Sequence, residues 1–312
     1  MLTDIFTTFP GFFIGSALLL GLLVGSFLNV VIYRLPLMLE RQWTEQCAEL
    51  AASREKGATP SGTAPANATT PRFNLVVPRS ACPKCRAPIT ALQNIPVLSY
   101  LFMRGRCASC RTPISIRYPF VEALTGLLSA AIAWKFGYGW AAAGGLIVTW
   151  YLVALTFIDI DHQLLPDNLT LPLMWLGIVF ALLVGEAAIG DATPPLPVDL
   201  QTSVIGAVAG YVSLWSIYHL FRLLTGKEGM GYGDFKLFAA LGAWLGWKML
   251  LPVILMAAAV GAVVGVIQLR VQKQSHATPI AFGPFLAASG WIMLMFGPEI
   301  VDGYLGLFAS AR

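Results

Sequence analysis

Three carboxylates and a histidine crowd into nine positions of this chain: Asp159, Asp161, His162 and Asp167, in Ile158-Asp-Ile-Asp-His-Gln-Leu-Leu-Pro-Asp167. They follow 23 uncharged residues, 136–158, a run long enough to cross a bilayer. An ionised side chain at mid-membrane costs about 2.5–3.5 kcal/mol on insertion scales, so acids at a membrane border mark a functional site by default. A second acid, Asp234, stands 75 residues later in Thr225-Gly-Lys-Glu-Gly-Met-Gly-Tyr-Gly-Asp-Phe-Lys236. Plainer readings exist for both. The first cluster suits a polar loop between two spans, and Asp234 suits a helix N-terminus whose dipole it offsets. Neither explains glycines at 229, 231 and 233, which permit close backbone packing or positive φ.

Brought together, Asp159 and Asp234 would make a pair that cannot comfortably ionise at both sites, so the two would share a proton. One carboxylate then serves as general base on a water, and the other as acid toward a carbonyl or departing amine. That is aspartic-protease chemistry. Competing chemistries lack their parts, since the chain has no His-Glu-x-x-His and no Gly-x-Ser-x-Gly, and its histidines (162, 219, 276) are scattered. Gly226-Lys227 is not a phosphate loop either. No glycine stands five residues earlier, and Glu228 replaces the required hydroxyl.

A third constellation is Cys82-Pro-Lys-Cys85 and, after 21 intervening residues, Cys107-Ala-Ser-Cys110. Two such knuckles can place four thiolates around one tetrahedral Zn²⁺ in a closed, structural site. Disulfides are disfavoured in a reducing cytoplasm, and a redox role lacks its strand–helix setting. Cys47 reads as a free thiol.

The elements that hold these groups are membrane helices. Of 312 residues, 57% are hydrophobic and only 12% charged, against about 25% charged in soluble domains. Uncharged length predicts about eight spans, near 5–33, 118–134, 136–158, 168–185, 200–221, 237–247, 249–269 and 277–298. The sixth is the shortest, eleven residues between Lys236 and Lys248, as expected of a helix that lines a cavity. Twelve of the 20 Lys and Arg lie within 34–117. The positive-inside rule therefore places that segment, and with it both acidic stretches, in the cytoplasm, with the N-terminus outside as an uncleaved span. Within 34–117, residues 40–55 read as a polar helix, 57–71 as a flexible linker, and 72–117 as the metal module. The expected division is thus 1–33, 34–117 and 118–312. No basic run with interleaved aromatics points to nucleic acid.

Taken jointly, these stretches resemble the bacterial type IV prepilin peptidases, membrane aspartic proteases with a Gly-x-Gly-Asp motif. The resemblance rests on Gly25-Ser-Phe-Leu-Asn-Val-Val-Ile-Tyr-Arg-Leu-Pro36, the cysteine pairs, Asn94-Ile-Pro-Val-Leu-Ser-Tyr100 and Arg117-Tyr-Pro-Phe-Val-Glu122. The acidic stretch at 159–167, Gly231-Tyr-Gly-Asp234 and Thr278-Pro-Ile-Ala-Phe-Gly-Pro284 complete it. It implies that Asp159 and Asp234 are catalytic, that Asp161, Asp167, Gly231 and Gly233 support them, and that Cys82, Cys85, Cys107 and Cys110 bind one zinc. It further implies a bacterial inner-membrane enzyme that cuts prepilins and type II secretion pseudopilins after Gly. The new N-terminal residue, usually Phe, would then be methylated with S-adenosylmethionine. No glycine-rich strand-to-helix loop offers a methyl-donor site, so Glu122 and residues 25–36 are the candidates for that site or for gripping substrate. Ala281 stands where the family pattern expects Pro, and the 57–71 linker is longer than expected. The competing reading is a transporter whose paired carboxylates carry a proton or cation.

Overall fold

The computed structural model describes residues 2–55, 73–185, 196, 198–227, 229–272 and 281–309. The linker at 57–71, Glu228 and residues 278–280 lie outside the described residues. Among the described residues ten α-helices run in order: α1 Leu2–Thr8, α2 Pro10–Glu55, α3 Leu98–Phe102, α4 Arg117–Phe136, α5 Trp140–His162, α6 Asp167–Val184, α7 Leu200–Thr225, α8 Tyr232–Leu245, α9 Leu250–Gln272 and α10 Gly283–Ala309. No β-strand is present among the described residues. Two isolated bridges in the cysteine module are the extended pairings found there.

Among the described residues six helices are long and apolar enough to cross a membrane: Pro10–Ser53, Trp140–His162, Asp167–Val184, Leu200–Thr225, Trp247–Gln268 and Gly283–Gly303. The expected eight are therefore not confirmed among the described residues. The two outside this set are α4 and α8, the expected second and sixth spans. Arg117, Glu122 and Lys135 dilute the apolar character of α4. With 14 residues, α8 is about 21 Å long against a hydrocarbon core of about 30 Å.

What α8 does instead is fill the core. Eleven of its fourteen residues are buried, Trp244 and Phe235 among the largest wholly enclosed side chains. A helix apolar on every side belongs at the centre of a bundle. It is held there by small-residue seams. A Cβ on Gly206 of α7 would lie 2.1 Å from the Gly242 carbonyl oxygen, so the two backbones touch directly. On the other flank, Trp244 Nε1 donates to the Leu173 carbonyl of α6 at 2.8 Å.

The first helix does not end at Tyr33. Leu, Met, Glu, Arg and Gln after it are strong helix formers, and α2 carries on through Pro36 as one 46-residue helix, about 69 Å long. The polar segment 40–55 is thus the far end of the spanning helix. Against α2 packs α4, close enough that a Cβ on Gly25 would sit 2.8 Å from Glu122 Cα.

Candidate active site

Asp159 and Asp234 approach each other from the ends of two helices. Asp159 lies in the last turn of α5, which closes when Gln163, at φ 51°, donates its amide to the Asp159 carbonyl. Asp234 is the third residue of α8, whose N-cap is Gly231. Both carboxylates are buried, at 5% and 7% exposure, although each is within one turn of a polar loop. They are near enough that the charge of Asp159 acts directly on Asp234.

Each carboxylate is anchored through one oxygen. Asp159 Oδ2 accepts the Gly283 amide of α10 at 2.9 Å, and Asp234 Oδ2 accepts the Gly231 amide at 3.2 Å. Asp234 Oδ1 is buried with no hydrogen-bond partner among the described residues. A buried carboxylate oxygen left this way is costly unless something polar is to meet it.

Glycine makes the approach possible at two points. A Cβ on Gly283 would lie 2.6 Å from Asp159 Oδ2, and one on Gly233 would lie 2.6 Å from Leu165 Cβ. Leu165, in the α5–α6 turn, also lies 3.2 Å from the Gly283 Cβ position. This one buried leucine therefore spaces the starts of α8 and α10 around the acids.

The other acids of the cluster turn outward into ion pairs. Asp161 takes both terminal nitrogens of Arg117, at 2.8 and 2.5 Å, and the same guanidinium sits 5.4 Å from the centre of the Phe157 ring. That bidentate pair ties the start of α4 to the last turn of α5. Asp167, at the start of α6, takes Lys236 Nζ of α8 at 2.6 Å. His162 is exposed at the helix end.

The four cysteines form a separate cluster whose sulfurs all lie within 4.8 Å of one another. Cys82 and Cys110 are 3.8 Å apart, Cys85 and Cys107 4.0 Å. A tetrahedron with metal–sulfur bonds of about 2.3 Å has edges of about 3.8 Å, so the arrangement fits a metal ion. The two knuckles are copies of one turn. In each, the residue after the second cysteine, Arg86 or Arg111, has φ 57° and donates to the first cysteine's carbonyl at 2.9 Å. The hydroxyl and amide of Thr112 hold the Cys110 thiol down to about 6. For Cys85 the Ala87 amide pulls downward, but burial and the neighbouring thiols prevail and push it up to about 11. Cys47 is exposed and apart.

Glu122 is the third buried acid. It accepts the Val97 amide at 2.8 Å, with the Ser26 hydroxyl beside it, and Asn29 Nδ2 reaches the Tyr118 carbonyl at 3.1 Å. The two methyl-donor candidates, Glu122 and the stretch at 25–36, thus lie against each other.

Gly283 and Arg117 are the residues whose placement sequence reasoning missed. Both stand in stretches already noted as motifs, at 278–284 and 117–122. The repeated Cys-x-x-Cys-Arg-x-Pro-Ile at 82–89 and 107–114 was the readable sign that the knuckles are equivalent.

A polytopic helical protein with two buried, amide-anchored carboxylates at helix ends is a candidate membrane aspartic protease. Comparison with known proteins is in keeping with this. Residues 19–136 match the bacterial peptidase A24 N-terminal domain, and residues 146–266 match the type IV leader peptidase family. The chain is 50% identical over 299 residues to a prepilin leader peptidase/N-methyltransferase of Aeromonas hydrophila, covering 96% of each chain. Proteins of the same name from Pseudomonas aeruginosa and Neisseria gonorrhoeae are 49% identical over 304 residues (97% of each chain) and 50% identical over 285 residues (90% of each). The chain belongs to the type IV leader peptidase family. No solved structure matches it.

Proposed function

We propose that this protein removes the leader peptide of prepilins and type II secretion pseudopilins after Gly, and then methylates the new N-terminus, usually Phe, with S-adenosylmethionine. The observation that carries the peptidase half is the pair of buried carboxylates, Asp159 and Asp234, held by Gly283 and Gly231 amides at the ends of α5 and α8.

In this reading the two carboxyls share one proton. The ionised member takes a proton from a water, whose oxygen attacks the scissile carbonyl carbon. The protonated member gives its proton to the carbonyl oxygen. Collapse of the tetrahedral intermediate breaks the C–N bond as the departing amine takes the proton that came from water, while the other carboxylate recovers one from a hydroxyl of the intermediate. Gly283 and Gly231 keep one oxygen of each acid fixed, which leaves the other to face the water. Asp161 and Asp167 act on the pair only through the ion pairs that set the helix ends. The acids stand at helix ends and not at midspan, which leaves the transport reading without support.

The methyltransferase half rests on the names of the relatives. Glu122 and residues 25–36 are proposed for the methyl-donor side or for holding the substrate. The four cysteines are proposed to bind one Zn²⁺, which would fold the module and leave no open position for catalysis. The module and the acid pair are proposed to lie on the cytoplasmic side of the inner membrane, a reading supported by the basic residues of 34–117.

Mass spectrometry of a prepilin-like substrate incubated with the protein tests both halves. Loss of the leader is expected without methyl donor, and loss of the leader plus gain of one methyl group with it. An intact substrate in both samples would sink the peptidase reading. Cleavage without methylation would sink only the second half.

A further inference from the structure

The cysteine module presents an apolar edge that its own fold does not cover. In α3, Leu98, Leu101 and Phe102 stand at positions i, i+3 and i+4, so they share one face. They are 54%, 64% and 86% exposed. The opposite side of α3 is the one tied to the module. Tyr100 donates to the Ile114 carbonyl at 3.4 Å and lies so close to Gly105 that a Cβ there would be 2.8 Å from the Tyr100 hydroxyl. Apolar side chains grouped on one exposed face mark a surface that meets something other than water.

Two further observations say what covers them. The Val97 amide, at the N-terminus of α3, is bonded to Glu122, the sixth residue of α4. That bond sets the start of α3 beside the second turn of α4, the segment whose apolar run at 118–134 reads from the sequence as a membrane span. Charge is the other. Between residues 73 and 117 there are seven Lys and Arg and no Asp or Glu. Arg104 and Arg106, just after α3, are both exposed. Apolar side chains beside that segment, followed at once by basic ones, match the acyl–headgroup boundary of an anionic leaflet.

We infer that the α3 edge of the cysteine module is a membrane-contacting surface, with Leu98, Leu101 and Phe102 seated among acyl chains and Arg104 and Arg106 on anionic headgroups. The module is then held at the bilayer by lipid as well as by its two chain connections. This inference does not depend on the peptidase reading.

Site-specific photo-crosslinking of the full-length protein in nanodiscs tests it. A photoreactive residue replaces Phe102 in one variant and, as control, Trp43 in another. Trp43 is also exposed, but it lies ten residues beyond Tyr33 along α2. Wild-type elution and metal content establish that each variant is folded. In phosphatidylglycerol-containing discs, lipid adducts at position 102 are expected about tenfold above those at 43. Replacing phosphatidylglycerol with phosphatidylcholine should lower the yield at 102 about fivefold. Equal lipid labelling at the two positions would overturn the inference, as would labelling at 102 of an added prepilin-like peptide in place of lipid. A yield at 102 indifferent to headgroup charge would overturn the role of Arg104 and Arg106.

Discussion

Asp159 and Asp234 owe their positions to glycines more than to other charged groups. Gly283 both donates to Asp159 and leaves room for its oxygen, so one added methyl is a severe change there. Overpacking of this kind costs about 1–3 kcal/mol, and at an anchored catalytic group 1.4 kcal/mol is a factor of about ten in rate. Gly283→Ala should lower leader removal at least about tenfold, and Gly233→Ala, which would press a Cβ on Leu165, should do likewise. Gly15→Ala is the contrast, because nothing lies within 4 Å of its Cβ position. That variant should cleave at the wild-type rate. Steady-state cleavage of a prepilin-like peptide by the three proteins checks this, and an unimpaired Gly283→Ala would remove Gly283 from the site.

At the scale of elements, helix ends are clamped by ion pairs whose strength follows their exposure. Arg117 and Asp161 are 39% and 27% exposed in their side chains and bonded twice, whereas Asp167 is 54% exposed and bonded once to Lys236. Exposed pairs contribute only about 0.2–1 kcal/mol, and bidentate, partly buried ones more. Arg117→Ala should therefore slow cleavage about three- to tenfold by loosening the α5 turn that carries Asp159, and Asp167→Asn less than about threefold. Exchanging the partners, Arg117→Asp with Asp161→Arg, should recover part of the loss. A swap no better than the single variants would show that the clamp does not act through its charge pair.

For the whole molecule, the cysteine module and the bundle are joined by Arg34 to the Asn74 carbonyl at 3.0 Å and by Glu122 to the Val97 amide at 2.8 Å. Metal analysis of the purified protein should find about one Zn per chain, lost in the Cys82→Ser/Cys85→Ser variant. Intact protein without metal would sink the zinc proposal. Much of this was readable in advance. Acids next to an uncharged run and glycines before Asp234 marked the site, and cysteine spacing marked the metal cluster. What was not readable arose from tertiary packing. The interior position of α8 depends on Gly206, Gly242 and Trp244 meeting across helices, which no local pattern reports. The contact of Gly283 with Asp159 joins residues 124 apart. The run of α2 past Tyr33 was hidden because a span ends where polarity changes, while a helix need not. The central claim is that Asp159 and Asp234 act as one catalytic unit, and leader cleavage by Asp159→Asn, Asp234→Asn and the double variant tests it most directly. All three should fall together by at least about a hundredfold, since groups that act as a unit lose nearly everything with the first member. Either single variant cleaving near the wild-type rate would contradict it.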